Sequence, residues 1–394
     1  MEISMNMYHT IALAVVVYYL GQFIRDRVTF FQKYCIPSPV IGGMIAALII
    51  TVLRVTGAMI INLDTTLQTV CMLIFFCNIG FNARWKVLKK GGIGLVIIFF
   101  AVAALCIIQD GFGAMMMKLF GKHPLLGTAI GSVSLVGGHG TAASFGQLIE
   151  DMGVPAAASA SVAAATYGLI AGCMIGGPIA RLRILQLQKK GKFELSDCTE
   201  KLDETEKKSL NEKSLMLAVA LLLLSVGAGQ IISSIIGKLM TFSAAVGSLA
   251  AGCLVRGFCD AKKIELPDEE IEMTGNIALY LFLSMAMMSM KIWELVDLAV
   301  PMIVTLLFQT VICGLFAYFV IFNIMGRDYD AAVMTSGACG FGLGATPNAI
   351  ANMSAVVSKY GPAPRAFLIV PIVGSMLADI VNSTAITVFM NIFG

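Results

Sequence analysis

Ser134-Leu-Val-Gly-Gly-His-Gly-Thr141 and Ser336-Gly-Ala-Cys-Gly-Phe-Gly-Leu343 read as one backbone written twice. Ser134 and Ser336, Gly138 and Gly340, and Gly140 and Gly342 stay in step at a constant offset of 202 positions. Both stretches lie among strongly apolar segments. Glycine-rich, interrupted backbone is costly there unless it lines a cavity enclosed by protein. Matched interruptions in two halves of a chain are the sequence pattern of a secondary carrier's binding site.

Composition agrees. Of 394 residues, 58% are hydrophobic and only 13% charged, with a mean hydropathy of +0.87. Such a chain is not a soluble globular protein; it reads as an all-α polytopic membrane protein. Ten cysteines, scattered mostly within apolar runs and without a CxxC pair, read as small packing residues. The start lacks a basic n-region and a cleavage site, so residues 8–24 are expected to be a retained first span.

Ten main spans are expected, at about 7–24, 38–57, 66–82, 93–117, 154–178, 214–236, 242–258, 273–290, 299–324 and 366–391. Segments 124–149 and 331–352 are apolar but too rich in Gly, Ser, Thr and Asn for plain lipid-facing spans, and are expected to be re-entrant or broken helices. The polar stretch 181–214 is expected to be a solvated linker between repeats 1–180 and 215–394. With residue 1 outside, 22 of the 27 lysines and arginines fall inside, and Arg54, Lys118, Lys122, Lys238 and Lys291 fall outside. That bias predicts both termini outside and the linker cytoplasmic.

Five spans per half is odd, so the second half must enter with reversed orientation. Phe120-Gly121 before the first box and Met325-Gly326 before the second support a repeat, as do Met152-Gly153-Val154-Pro155 and Tyr360-Gly361-Pro362 after them. The expected fold is two inverted-topology five-span repeats, each with a Gly-rich re-entrant or broken helix.

A helix broken at such a box exposes unpaired N–H groups at one new end and C=O groups at the other. The N–H end attracts carboxylates; the carbonyl end, with hydroxyls and amides nearby, suits Na+. The candidate substrate-binding residues are Ser134, Gly137, Gly138, His139, Gly140 and Thr141, with Ser336, Gly340, Gly342, Gly344, Thr346 and Asn348 from the second box. Ser144 and Asn352 add neutral oxygens. His139 is read as a hydrogen-bonding residue rather than a proton relay, because its counterpart is Phe341.

Asp379, Asn382 and Ser383, mid-span within one helical turn, are the candidate Na+ ligands. Asp110 is left out of that set for its position nearer an outer end of the fourth span. Asn78, Asn276 and Gln309 are expected to bond between helices. No arginine falls inside a span near either box, so an acidic substrate is expected to rely on helix ends, hydroxyls and Na+. Lys291-Ile-Trp293-Glu294 reads as an interfacial anchor.

A channel is disfavoured by the absence of charged rings or a repeated carbonyl filter. An intramembrane hydrolase built on Ser134 or Ser144 with His139 is disfavoured because no GxSxG elbow is present. No enzyme activity and no nucleic-acid partner are expected.

The chain resembles the bacterial sodium/glutamate symporter family over essentially its whole length. The resemblance rests on Gly137-Gly138-His139-Gly140-Thr141, Cys339-Gly-Phe-Gly-Leu-Gly-Ala-Thr346-Pro347, Asp328-Tyr-Asp330-Ala-Ala-Val333, Lys33-Tyr-Cys-Ile-Pro37 and Asp379-Ile-Val-Asn382. It implies Na+-coupled uptake of L-glutamate across the cytoplasmic membrane by a homodimer. It also implies two five-span halves whose loop tips, Gly137 to Thr141 and Gly340 to Pro347, face each other near midplane. A transport unit would shift like an elevator against a scaffold. A Na+-coupled carrier of another dicarboxylate, such as citrate or malate, is the alternative.

Overall fold

The computed structural model describes residues 2–34, 36–82, 92–191, 193, 211–238 and 243–394. The basic cluster expected at 84–90 and the middle of the expected linker, 194–210, lie outside the described residues.

The chain opens with a short strand, β1 (Glu2–Met5), that pairs in parallel with β2 (Ile60–Leu63). Between them run α1 (Met7–Arg27) and α2 (Ser38–Val55). Asn6 starts α1 by accepting the His9 N–H, a standard N-cap. Pro39 sits in the first turn of α2, where a missing N–H costs nothing. There follow α3 (Thr66–Phe81), α4 (Gly92–Leu119), α5 (Pro124–Ala129), α6 (Ser132–Leu135), α7 (Gly138–Asp151) and α8 (Ala157–Lys189). The second half has α9 (Glu212–Ile236), α10 (Ala244–Lys262), α11 (Asp268–Met288) and α12 (Ala299–Phe316). It ends with α13 (Tyr329–Gly342), α14 (Thr346–Tyr360), α15 (Pro364–Ile372) and α16 (Ala378–Phe393).

Among the described residues, eight helices are long and apolar enough to cross a membrane. The chain is thus a multi-pass membrane protein, but two of the ten expected spans differ. The third, α3, has only 16 residues. The last is α15 running through a π-helical turn, Val373–Leu377, into α16. The fifth, α8, is longer than expected: it continues to Lys189, well into the polar stretch.

The helices pack in two sets. One contains α1, α2, α3, α9, α10 and α11; the other contains α4 to α8 and α12 to α16. Each set takes the corresponding stretch from each half of the chain. Lipid offers no hydrophobic drive between helices, so close packing rests on small residues. At the α3–α10 crossing, a Cβ on Gly80 would sit 2.2 Å from the Leu249 carbonyl oxygen, and one on Gly252 2.4 Å from that of Cys77.

α13 and α14 form a helical hairpin whose open end is clasped by the Asp328-Tyr329-Asp330 motif. Asp328 caps α13 by accepting the Ala331 N–H at 2.7 Å and pairs with Arg365 at 2.9 Å. The Tyr329 hydroxyl donates to the Gly361 carbonyl at 2.5 Å, and Asp330 accepts the Ala366 N–H at 3.1 Å. That motif is therefore a structural clasp. At fourteen and fifteen residues, each arm spans roughly 20 Å, short of the ~30 Å hydrocarbon core. α8 forms the bed for this hairpin: a Cβ on Gly168 would lie 2.0 Å from the Leu343 carbonyl oxygen. Asn348 and Asn352 donate to the Leu169 and Gly172 carbonyls of α8 at 3.0 and 2.9 Å.

Candidate functional site

Both glycine boxes break helices. α6 ends at Leu135 and α7 restarts at Gly138, whose φ of +62° suits glycine. α13 ends at Gly342 and α14 restarts at Thr346. Neither restart has a side-chain cap. Each restart carries the positive end of its helix dipole. At α14, Pro347 has no N–H and the Asn348 N–H turns back to the Ala345 carbonyl at 3.0 Å. That leaves the Thr346 N–H as this helix's donor to a ligand.

The two breaks line one cavity of about 460 Å³. Gly137 to Gly140 and Gly344 to Asn348 form one wall, with Phe341, Leu169, Gly374 and Asp379. The facing wall comes from the other set of helices and includes Tyr18, Arg25, Phe75, Asn276 and Tyr280. Tyr18 and Tyr280 stack there with ring centroids 5.4 Å apart. Gly374 lies in the π turn of the last helix, and such turns often mark functional sites. Its own Cβ, were there one, would press on Thr346 Oγ1 at 2.8 Å.

Of the twelve expected binding residues, the structure brings Gly137, Gly138, His139, Gly140, Gly344, Thr346 and Asn348 to the cavity. The other five are not among its lining. Ser134 is fully buried, and its hydroxyl lies 2.5 Å from the Ala129 carbonyl and 2.7 Å from that of Ser161. Thr141 packs against Gly137, and Gly340 lets α14 approach α13, a Cβ there falling 2.5 Å from Ala349. Ser336 lies almost two turns before the break. Gly342 offers its carbonyl to Gln109 Nε2 at 2.9 Å.

His139 Nε2 lies 2.9 Å from Thr166 Oγ1, a hydrogen-bonding arrangement within the first break. Ser144 Oγ donates to backbone carbonyls of its own helix, so neither serine is joined to His139. Asn276 lines the cavity instead of bonding between helices. Gln309 does bond across helices, donating to the Gln109 carbonyl at 2.7 Å. Lys291 pairs with Glu150 at 2.7 Å, so it ties the α11 end to α7.

The expectation that no arginine falls inside a span near either box is corrected: α1 runs past the expected residue 24 to Arg27 and carries Arg25 onto the cavity wall. An arginine near a helix end reads from sequence as a flanking positive charge, so nothing local to Arg25 signals its place.

The expected ion ligands separate. Asp379 lines the cavity, whereas Asn382 and Ser383 do not. Asn382 Nδ2 donates to the Ser132 carbonyl at 2.9 Å. Its Oδ1, the Ser383 hydroxyl and Asn348 Oδ1 are buried without a partner. Such oxygens normally find one.

Two helix breaks facing one cavity in a multi-pass membrane protein suit a secondary transporter. Comparison with known proteins agrees. Residues 3–362 match the family model described as sodium/glutamate symporter. The sodium/glutamate symporter of Haemophilus influenzae is 36% identical, the alignment covering 98% of each chain. That of Escherichia coli is 38% identical over 97% of this chain and 96% of its own, and that of Shigella flexneri matches to the same extent. With names that denote transporters and not enzymes, and coverage this complete, the chain belongs to the sodium/glutamate symporter family.

Proposed function

We propose that this chain is a secondary active transporter carrying L-glutamate into the cell together with Na+, with the cavity between the two breaks as its substrate site. One observation carries the reading: the uncapped N-termini of α7 and α14, one from each half, line the same cavity. Glutamate has two carboxylates, and two such helix ends offer two anion sites. Arg25 on the facing wall adds a cationic side chain.

The coupling Na+ is assigned to α16, whose Asp379 lines the cavity and whose Asn382 and Ser383 hold unpartnered oxygens. Alternating access is of the elevator type: the helix set holding both breaks moves against α1 to α3 and α9 to α11. Support comes from the cavity having one wall from each set. The two halves are inverted repeats with re-entrant hairpins at 124–149 and 331–352. Both termini lie outside and the linker is cytoplasmic, in a homodimer in the cytoplasmic membrane.

Proteoliposomes given labelled glutamate from outside under Na+, K+ or proton gradients in turn test this. L-glutamate uptake should follow the inward Na+ gradient alone, and unlabelled glutamate should exchange in counterflow. Exchange of citrate or malate without glutamate would replace the substrate assignment, and uptake driven by K+ or protons would overturn the coupling.

A further inference from the structure

We propose that Gln109 and Asp110, neighbours on α4, are positioning residues that grip one helix break each from behind and so set which length of acidic substrate the cavity takes. Gln109 Nε2 donates to the Gly342 carbonyl at 2.9 Å. Gly342 closes α13, so its carbonyl is one that the helix itself leaves unpaired. Asp110 holds Ser132, at the start of α6, twice: Oδ1 accepts the N–H and Oδ2 the hydroxyl, each at 2.8 Å. The Ser132 carbonyl in turn accepts the Gly137 N–H at 3.0 Å, which carries the grip to the lip of the first break. Successive residues point about 100° apart around a helix, so one helix can hold two segments on two of its sides.

This yoke is braced by two further helices. Gln309 of α12 donates to the Gln109 carbonyl at 2.7 Å, and Asn382 of α16 donates to the Ser132 carbonyl at 2.9 Å. Gln109, Asp110, Ser132, Gln309 and Asn382 are all 0% exposed. Away from water, each of these bonds is costly to leave unmade. The strut that carries both grips, α4, is an unbroken helix of 28 residues.

Gln109, Asp110 and Ser132 do not line the substrate cavity, so they act through the breaks. The breaks themselves meet at Gly138 and Gly344. A single contact between glycines leaves each break free to tilt about it. Tilting changes the angle between their donors, and with it the length of substrate that meets both. Grips on Gly342 and Ser132 from one helix remove that freedom, so a substrate of matching length is favoured over one a methylene shorter or longer. The hold on Ser132 does not depend on charge, because its hydroxyl can donate to a carboxylate oxygen or accept from an amide N–H. This deepens the reading of the two breaks as carboxylate sites and rests on it.

The test is competition in proteoliposomes under an inward Na+ gradient. Unlabelled L-aspartate, L-glutamate and L-2-aminoadipate, which lengthen by one methylene at each step, compete with uptake of labelled L-glutamate. The parent should prefer glutamate to both neighbours by roughly tenfold or more. Gln109→Met keeps the volume and loses the donor, and Ser132→Ala loses one of the two bonds to Asp110. Both should fold and narrow the preference to roughly threefold. Asp110→Leu should narrow it further, whereas Asp110→Asn, which can still hold both Ser132 groups, should keep the parent's ranking. Slower uptake with the parent's ranking in Gln109→Met and Ser132→Ala would overturn the yoke and leave the carboxylate sites standing. Loss of the ranking in Asp110→Asn would also overturn it, because charge and not grip would then be at work. A parent indifferent to length would overturn the two-carboxylate reading itself, and the yoke with it.

Discussion

Gly138 and Gly344 come so close that a Cβ on Gly138 would lie 3.1 Å from the Gly344 carbonyl oxygen. This is the point where the break of the first half meets the break of the second. The contact leaves the N-termini of α7 and α14 on one cavity wall. It fixes their spacing through backbone rather than through side chains, which would preorganise the proposed substrate site.

Gly138→Ala should therefore damage transport more than folding. Its φ of +62° costs an L-residue about 1–2 kcal/mol, and its methyl group would press on Gly344. Glutamate uptake should fall to a small fraction of the parent's while purified yield and monodispersity change little. Parent-like uptake would mean the breaks do not need this approach.

Asn348→Ala removes the donor that ties the start of α14 to the Leu169 carbonyl of α8. Losing that hold on the second break, about 1 kcal/mol, should raise the glutamate KM by roughly fivefold. A KM that stays put while stability falls would assign Asn348 to packing alone.

Asp379→Asn neutralises the carboxylate on the cavity wall. The Na+ concentration giving half-maximal uptake should rise several-fold with expression unchanged. Unaltered Na+ dependence of uptake would remove Asp379 from the coupling site.

Lys291→Met should matter little. Hydrogen bonding to Glu150 holds the Lys291 ammonium above its ordinary 10.5. A raised pKa stabilises the fold fully below the ordinary value, and that stabilisation is lost only as pH climbs through the raised one. The side chain is 45% exposed, so the pair should contribute less than about 1 kcal/mol. The melting difference from the parent should stay small and flat between about pH 6 and 9. A steep pH dependence there would mean another group titrates with the pair.

The paired boxes were legible because glycine, serine and asparagine stand out against apolar sequence, and the constant offset showed that the two belong together. Helix-forming spans were legible from length and hydropathy. The convergence of the breaks with Arg25, Tyr18 and Tyr280 was not, because a side chain at the end of α1 carries no mark of the wall it joins. Nor was the link between Asp110 and Asn382. They meet through Ser132, which is 22 residues from one and 250 from the other, and no local pattern spans such separations. Ser134 and Thr141 misled for a simple reason: a hydroxyl in a glycine box looks the same whether it faces a ligand or a backbone carbonyl. The strands β1 and β2, four residues each, were too short to stand out beside long helices.

The most direct test places a single cysteine at Ala345, in a transport-competent chain cleared of its native cysteines, and times its alkylation by a water-soluble maleimide. Glutamate with Na+ present should slow the reaction several-fold, whereas glutamate in choline chloride should not. Alkylation at the same rate with and without glutamate and Na+ would show that the space between the two breaks is not where the substrate binds.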